Sequence, residues 1–196
     1  MKVKLKTAPA KMPLELNEVK DHLNIELDFT DDDDYLKTLV PTATQTVEQF
    51  LHRRLITQTW YQYLDGWWYN SLTMPFGRLQ GVTSIKYKDT DGTDSTWDSA
   101  NYIVEANSDP GEIVLGYEKT FPTTTLYPSN PITIEFVCGY GTDGTDIEAN
   151  IKHAIKLIIS DLYENRETQV IAGGSTSLYE LPTAMNLLTP FKIDWF

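Results

Sequence analysis

The spacing of apolar residues changes twice along this chain, and that change limits the folds open to it. Leu36, Leu39, Val40, Ala43, Val47, Phe50 and Leu51 recur every three or four residues, as one face of a helix requires. The same period returns in Ile147, Ile151, Ala154, Ile155, Ile158, Ile159 and Leu162. Between 55 and 140 it disappears. There, most of the tryptophans and tyrosines and many threonines fall in short runs separated by Asp65-Gly66, Phe76-Gly77, Asp91-Gly92, Asp109-Pro110-Gly111 and Gly139-Tyr140-Gly141. The chain therefore reads as helical at both ends and stranded in the middle.

Leu16, Val19 and Leu23 predict a short amphipathic helix within Leu14–Leu23. The next helix should run for about 20 residues, roughly 30 Å. Thr30 is its expected N-cap, Asp31–Asp34 suit its positive end, and His52, Arg53 and Arg54 suit its negative end. Pro41 removes one backbone bond within it and should kink it. Strands are expected at Ile56–Leu64, Val82–Lys88, Tyr102–Glu105, Glu112–Leu115 and Ile132–Cys138. Asp146 is the expected cap of the third helix. Thr168–Ser177, centred on Gly173-Gly174, reads as a loop, and Leu181–Leu188 as one or two turns ended by Pro190.

The expected fold class is α+β: a helical body of three main helices and a short C-terminal one, with an inserted small antiparallel β-sandwich or barrel. The body takes 1–54 and 142–196, and the insertion 55–141.

A chain of 196 residues buries roughly 70% of its unfolded surface, so it folds without a disulfide or metal staple. Sixteen Lys and Arg against 28 Asp and Glu leave a net charge of −12, which argues against gripping nucleic-acid phosphates. The single cysteine, Cys138, has no intramolecular disulfide partner and reads as a buried, inert thiol. No apolar run reaches a membrane span, and Met1–Lys11 lacks the apolar centre of a signal peptide. An acidic protein made in the cytoplasm, with no membrane partner, is expected.

Candidate chemistry is sparse. Asp31–Asp34 point in four directions on a helix, so a solvated first turn is expected rather than a cation site. Asp89–Asp94 begins like a calcium loop but has Ala100 where the twelfth-position glutamate belongs; a hairpin on Asp91-Gly92 is expected instead. His22, His52 and His153 fall in three separate helices without zinc spacing, and His153 should lie at the surface. Asp65, Asp89 and Glu135 have no spacing that pairs them. No nucleophile elbow, P-loop or dinucleotide fingerprint is present. The expectation is no enzyme, no metal and no cofactor. Trp67, Trp68 and Tyr69 are candidate interface aromatics. They also support a rival reading, a carbohydrate- or surface-binding β module with helical extensions; on the interface view Trp60 is core, and Trp67 and Trp68 cap an edge or contact a neighbouring subunit.

Several segments in order resemble the head–tail connector, or adaptor, proteins of tailed bacteriophages. Leu16-Asn17-Glu18-Val19-Lys20-Asp21-His22-Leu23 resembles the family's opening helix, and Asp32–Leu36 with Val47–Phe50 its second. Arg54-Leu55-Ile56-Thr57-Gln58-Thr59-Trp60 is the most distinctive run. Met74-Pro75-Phe76-Gly77, Val82–Ile85, Phe136–Gly141, Ile151–Ile155 and Tyr163–Glu167 follow. The resemblance spans about residues 14–190. It implies a structural protein of the virion neck: a ring, commonly of twelve copies, under the portal. Such a ring bridges the portal to a head-closure (stopper) or tail-terminator component and lines the channel for double-stranded DNA without sequence-specific binding. Pro41 departs from the family's pattern. On this reading the apolar chain end is a portal anchor, with Leu187, Leu188, Phe191, Ile193, Trp195 and Phe196 as binding residues. The alternative for that end is packing on the protein's own β domain.

Overall fold

The computed structural model describes residues 2–165 and 182–194. The chain is α+β and separates into two compact units, residues 1–10 with 56–142 and residues 11–55 with 143–196.

The first unit is built from antiparallel strands: β1 (Lys2–Thr7), β2 (Gln58–Leu64), β3 (Ser71–Thr73), β4 (Leu79–Lys88), β5 (Asp94–Trp97), β6 (Tyr102–Glu105), β7 (Glu112–Leu115) and β8 (Ile132–Cys138). One sheet runs β1-β2-β8-β4-β5 and a smaller one β3-β7-β6. Because side chains alternate along a strand, β8 sends Ile132, Ile134, Phe136 and Cys138 to one face, and all four are fully buried. They pack with Met74, Phe76, Leu79, Ile85 and Trp97, and Ile113 of the smaller sheet joins the same core. The Cys138 thiol lies inside this core, as expected of an inert one.

Strand β1 corrects the sequence reading, which placed residues 1–54 in the helical body. Lys2 to Leu5 pair in register with Tyr63 to Trp60, so the N-terminal segment is an edge of the β unit. Strands β3 and β5 were also not expected. The hairpin at Asp91-Gly92 forms as predicted. The Asp89 carboxylate accepts the Asp91 and Thr93 N–H groups at 3.0 and 2.9 Å, and Gly92 sits at φ +83°. Gly139 is needed for closeness as well as for its φ of +128°: a Cβ there would lie 2.6 Å from the backbone at Ile56 and Thr57.

The second unit contains α1 (Leu16–Leu23), α2 (Asp33–Leu51), α3 (Ala149–Glu164) and α4 (Pro182–Leu188), four helices among the described residues. Helix α2 packs on α3, and α3 on α4. The periodic residues are the buried ones: Leu36, Leu39, Val40, Ala43, Val47 and Leu51 on α2, and Ile151, Ala154, Ile155, Ile158 and Ile159 on α3. Phe50 is only half-buried. Helix α2 continues through Pro41.

The caps differ from expectation. Thr30 does not cap α2: its carbonyl accepts the Asp33 N–H in a preceding turn, and Asp32 takes the cap position. Asp146 lies in a 3-10 turn, Gly144–Asp146, that Asp143 caps through Thr145 N–H, so α3 starts later, after Glu148. After α4 a 3-10 turn, Thr189–Phe191, carries the chain through Pro190. The loop expected at Thr168–Ser177 lies outside the described residues.

Candidate functional site

Among the described residues, no three His, Cys, Asp or Glu side chains gather as a metal site would require. Asp65, Asp89 and Glu135 do not converge. Asp65 accepts Lys2 Nζ at 2.7 Å and Asn130 N–H at 3.1 Å; the lysine bond holds its carboxyl below the usual range. Glu135 pairs with Lys6 at 2.6 Å, and Asp89 serves its turn. No described helix is long and apolar enough to cross a membrane.

The aspartate run is not a solvated turn throughout. Asp33 pairs with Lys20 at 2.5 Å, and Lys20 is only 2% exposed. Lys20 Nζ also donates to the carbonyls of Phe29 at 2.7 Å and Leu27 at 3.3 Å, so two carbonyls and a carboxylate surround the buried charge. Asp32 accepts Tyr163 Oη at 2.5 Å from α3. Asp31 and Asp34 match the expectation, both exposed, Asp34 paired with Lys37. The buried lysine thus fixes the turn between α1 and α2, a role that helical periodicity could not reveal.

The histidines are also partly rearranged. His52 is not in a helix but follows α2 in a left-handed conformation, with φ 56°. His153 is exposed as expected, yet its ring meets His22 edge-on at 5.9 Å. Burial lowers the His22 pKa, and the charges of Lys156 and His153 on α3 lower it further.

Trp67 and Trp68 are half-buried within an aromatic group. Trp67 stacks on Phe121 at 5.1 Å and 21°, and also meets Trp97 at 5.1 Å; Trp68 meets Phe121 edge-on at 5.2 Å. With their rings spent on neighbours, these two lack the open faces that sugar stacking needs. Tyr69 is 91% exposed and remains available to a partner. Trp60 is half-buried against Phe76, at 4.9 Å.

At the C-terminal end, Leu188 and Ile193 are buried in the chain's own helical unit. Ile193 N–H donates to the Leu51 carbonyl at 3.0 Å, and Arg53 Nε donates to the Phe191 carbonyl at 2.5 Å. The described end therefore docks beside the C-terminus of α2, where the last carbonyls of a helix lack intrahelical partners. Neither expected arrangement, exposed anchors nor packing on the β domain, describes these two residues. Leu187 and Phe191 are half-buried; Trp195 and Phe196 lie outside the described residues. Nearby, burial raises the Glu48 carboxyl pKa, although Leu55 N–H at 2.8 Å and Arg54 act against the shift.

A cleft of about 570 Å³ lies along residues 11–16 and 143–145, with Lys152 and Glu18 paired across it at 3.0 Å. The Glu15–Glu18 capping box starts α1 in its wall.

Comparison with solved structures finds the same fold in chains of gene transfer agent particles. One, from the neck of an empty particle in C6 symmetry, matches with a TM-score of 0.81 at 20% identity, over 100% of this chain and 97% of that one. A chain of the native virion matches at 0.80 and 19% identity, and one from the native neck in C12 symmetry at 0.76 and 20%, with the same coverage. Curated proteins give no significant match. The profile of the phage gp6-like head-tail connector proteins matches residues 13–110, half of the chain, spanning α1, α2 and strands β2 to β6. On that match, the chain belongs to the phage gp6-like head-tail connector family.

Proposed function

We propose that this protein is the adaptor of a phage-like neck, assembling as a ring of about twelve copies beneath the portal. The ring joins the portal to a head-closure or tail-terminator component and surrounds the path of the DNA. The observation that carries the reading is the end-to-end likeness to neck chains in C6 and C12 particles, joined to the family match. Its role is mechanical: the helices form the bundle of the body, and the two sheets form an inserted sandwich. The net charge of −12 suits a channel wall that repels DNA and lets it pass. Leu187 and Phe191, with Trp195 and Phe196, would serve the portal, while Leu188 and Ile193 hold the segment's base to α2.

Native mass spectrometry of the chain mixed with the portal encoded beside it tests this reading. A complex with about one copy per portal subunit is expected. A folded monomer that leaves the portal unbound overturns it, and glycan binding through Tyr69 would then be examined.

A further inference from the structure

The five-stranded sheet has two open edges: β1 bonds β2 on one side, and β5 bonds β4. An edge strand presents a row of backbone donors and acceptors that a protein must either block or use. Here the two edges carry opposite charge. Strand β1 holds Lys2, Lys4 and Lys6 and no acid; Lys2 pairs with Asp65 and Lys6 with Glu135 in the same copy, so Lys4 is the charge this edge offers a neighbour. Strand β5 opens with Asp94 and is bracketed by Asp91 and Asp98.

The register places these charges on one face. Lys2 lies opposite Tyr63, Tyr63 opposite Thr133, Thr133 opposite Lys86, and Lys86 opposite Thr96, a single row across all five strands. Asp94 lies two residues from Thr96, so it shares that face with Lys2 and Lys4. A sheet continued from one copy into the next keeps its faces aligned, and Lys4 would then meet Asp94 across the join.

We propose that β1 of one copy pairs with β5 of the next, so that the sheet continues from subunit to subunit around the assembly. The inference rests on the ring reading and names the surface that makes the ring. Pairing of like edges gains nothing from these charges, because β1 on β1 brings together only bases and β5 on β5 only acids. Head-to-tail pairing sets base against acid, and it is the kind of contact that closes into a ring. Leu5, 40% exposed on the opposite face of β1, becomes covered in the same contact.

Lys4→Glu and Asp94→Lys test the proposal, read by native mass spectrometry and electron microscopy of the full chain with the portal. Both positions are exposed, and Asp94 makes only a 3.7 Å pair with Lys88, so the monomer should melt as the parent does. Each variant alone should need at least about tenfold more protein to form rings, since like charges then face each other at every join. Mixed in equal amounts, the two should assemble again as alternating rings, because every join between unlike copies sets one acid against one base. Single variants that assemble like the parent overturn the proposal and leave the ring reading standing. Singles that fail and are not rescued by mixing overturn it too. A parent chain that forms no ring overturns both readings. Should a variant fail to fold, hydrogen exchange on the parent decides: β1 and β5 amides must gain protection on assembly, and unchanged exchange overturns the proposal.

Discussion

Lys20 Nζ lies 2.5 Å from Asp33 Oδ1, with the lysine almost wholly enclosed and the aspartate about one-fifth exposed. A charge taken out of water this far is tolerated only when it is paired and hydrogen-bonded, and here a carboxylate pairs it while two carbonyls accept its hydrogen bonds. Replacing Lys20 with Met keeps the volume and removes the charge. It leaves Asp33 and the Leu27 and Phe29 carbonyls without their shared donor. A loss of about 3 kcal/mol is expected, at the low end for a broken buried pair because Asp33 still reaches water. Urea denaturation followed by far-UV circular dichroism measures it; a loss below about 1 kcal/mol would mean that the turn holds without its lysine.

Trp67→Ala removes a ring packed among Phe121, Trp97, Trp68 and Tyr87. The expected cost is about 3 kcal/mol, with a weakened near-UV spectrum. Unchanged stability together with lost glycan binding would instead return the sugar-stacking reading.

Ile193→Ala opens a hole beside Leu51 where the described C-terminal end docks. About 2–4 kcal/mol should be lost in thermal or urea unfolding. Removing residues 191–196 should therefore reduce stability as well as portal binding. A truncated chain as stable as the parent would show that the end is only an anchor.

His22 makes the helical unit sensitive to mild acid. Its folded pKa lies below 6.5, so the unfolded chain binds the extra proton first as pH falls. Stability through this group is full above about pH 6.5 and declines as pH drops from there toward the folded pKa. His22→Gln should flatten that part of a stability–pH curve measured by urea titration between about pH 7.5 and 5.5. An identical slope in the variant would assign the dependence elsewhere.

The helices and the central strands were legible because burial there follows a simple period. Ile132, Ile134, Phe136 and Cys138 alternate inward without exception, and the α2 and α3 stripes are buried where the spacing put them, apart from the half-buried Phe50 and Leu162. Strand β1 was missed because its repeated lysines resemble a solvated tail; only pairing with β2 makes it a strand. Lys20 was missed for a related reason. A helical lysine beside Val19 is ordinarily a solvated one, and nothing local announces that Leu27 and Phe29 will turn their carbonyls back toward it. The dual nature of the C-terminal end was hidden as well, since apolar residues near a chain end look alike whether they meet the same chain or another.

Strand β8 sits at the centre of the five-stranded sheet, yet the chain supplies it last. Until Ile132–Cys138 leaves the ribosome, no strand can bridge β2 and β4, so the β1–β2 and β4–β5 pairings are the ones this sheet has open to it. Gln58 must then meet Cys138 across about 80 residues of intervening chain, a loop that closes slowly. The β unit is therefore expected to form in one late step. A chain cut short before residue 132 would retain the two pairs with no strand between them, two loose edges that invite aggregation.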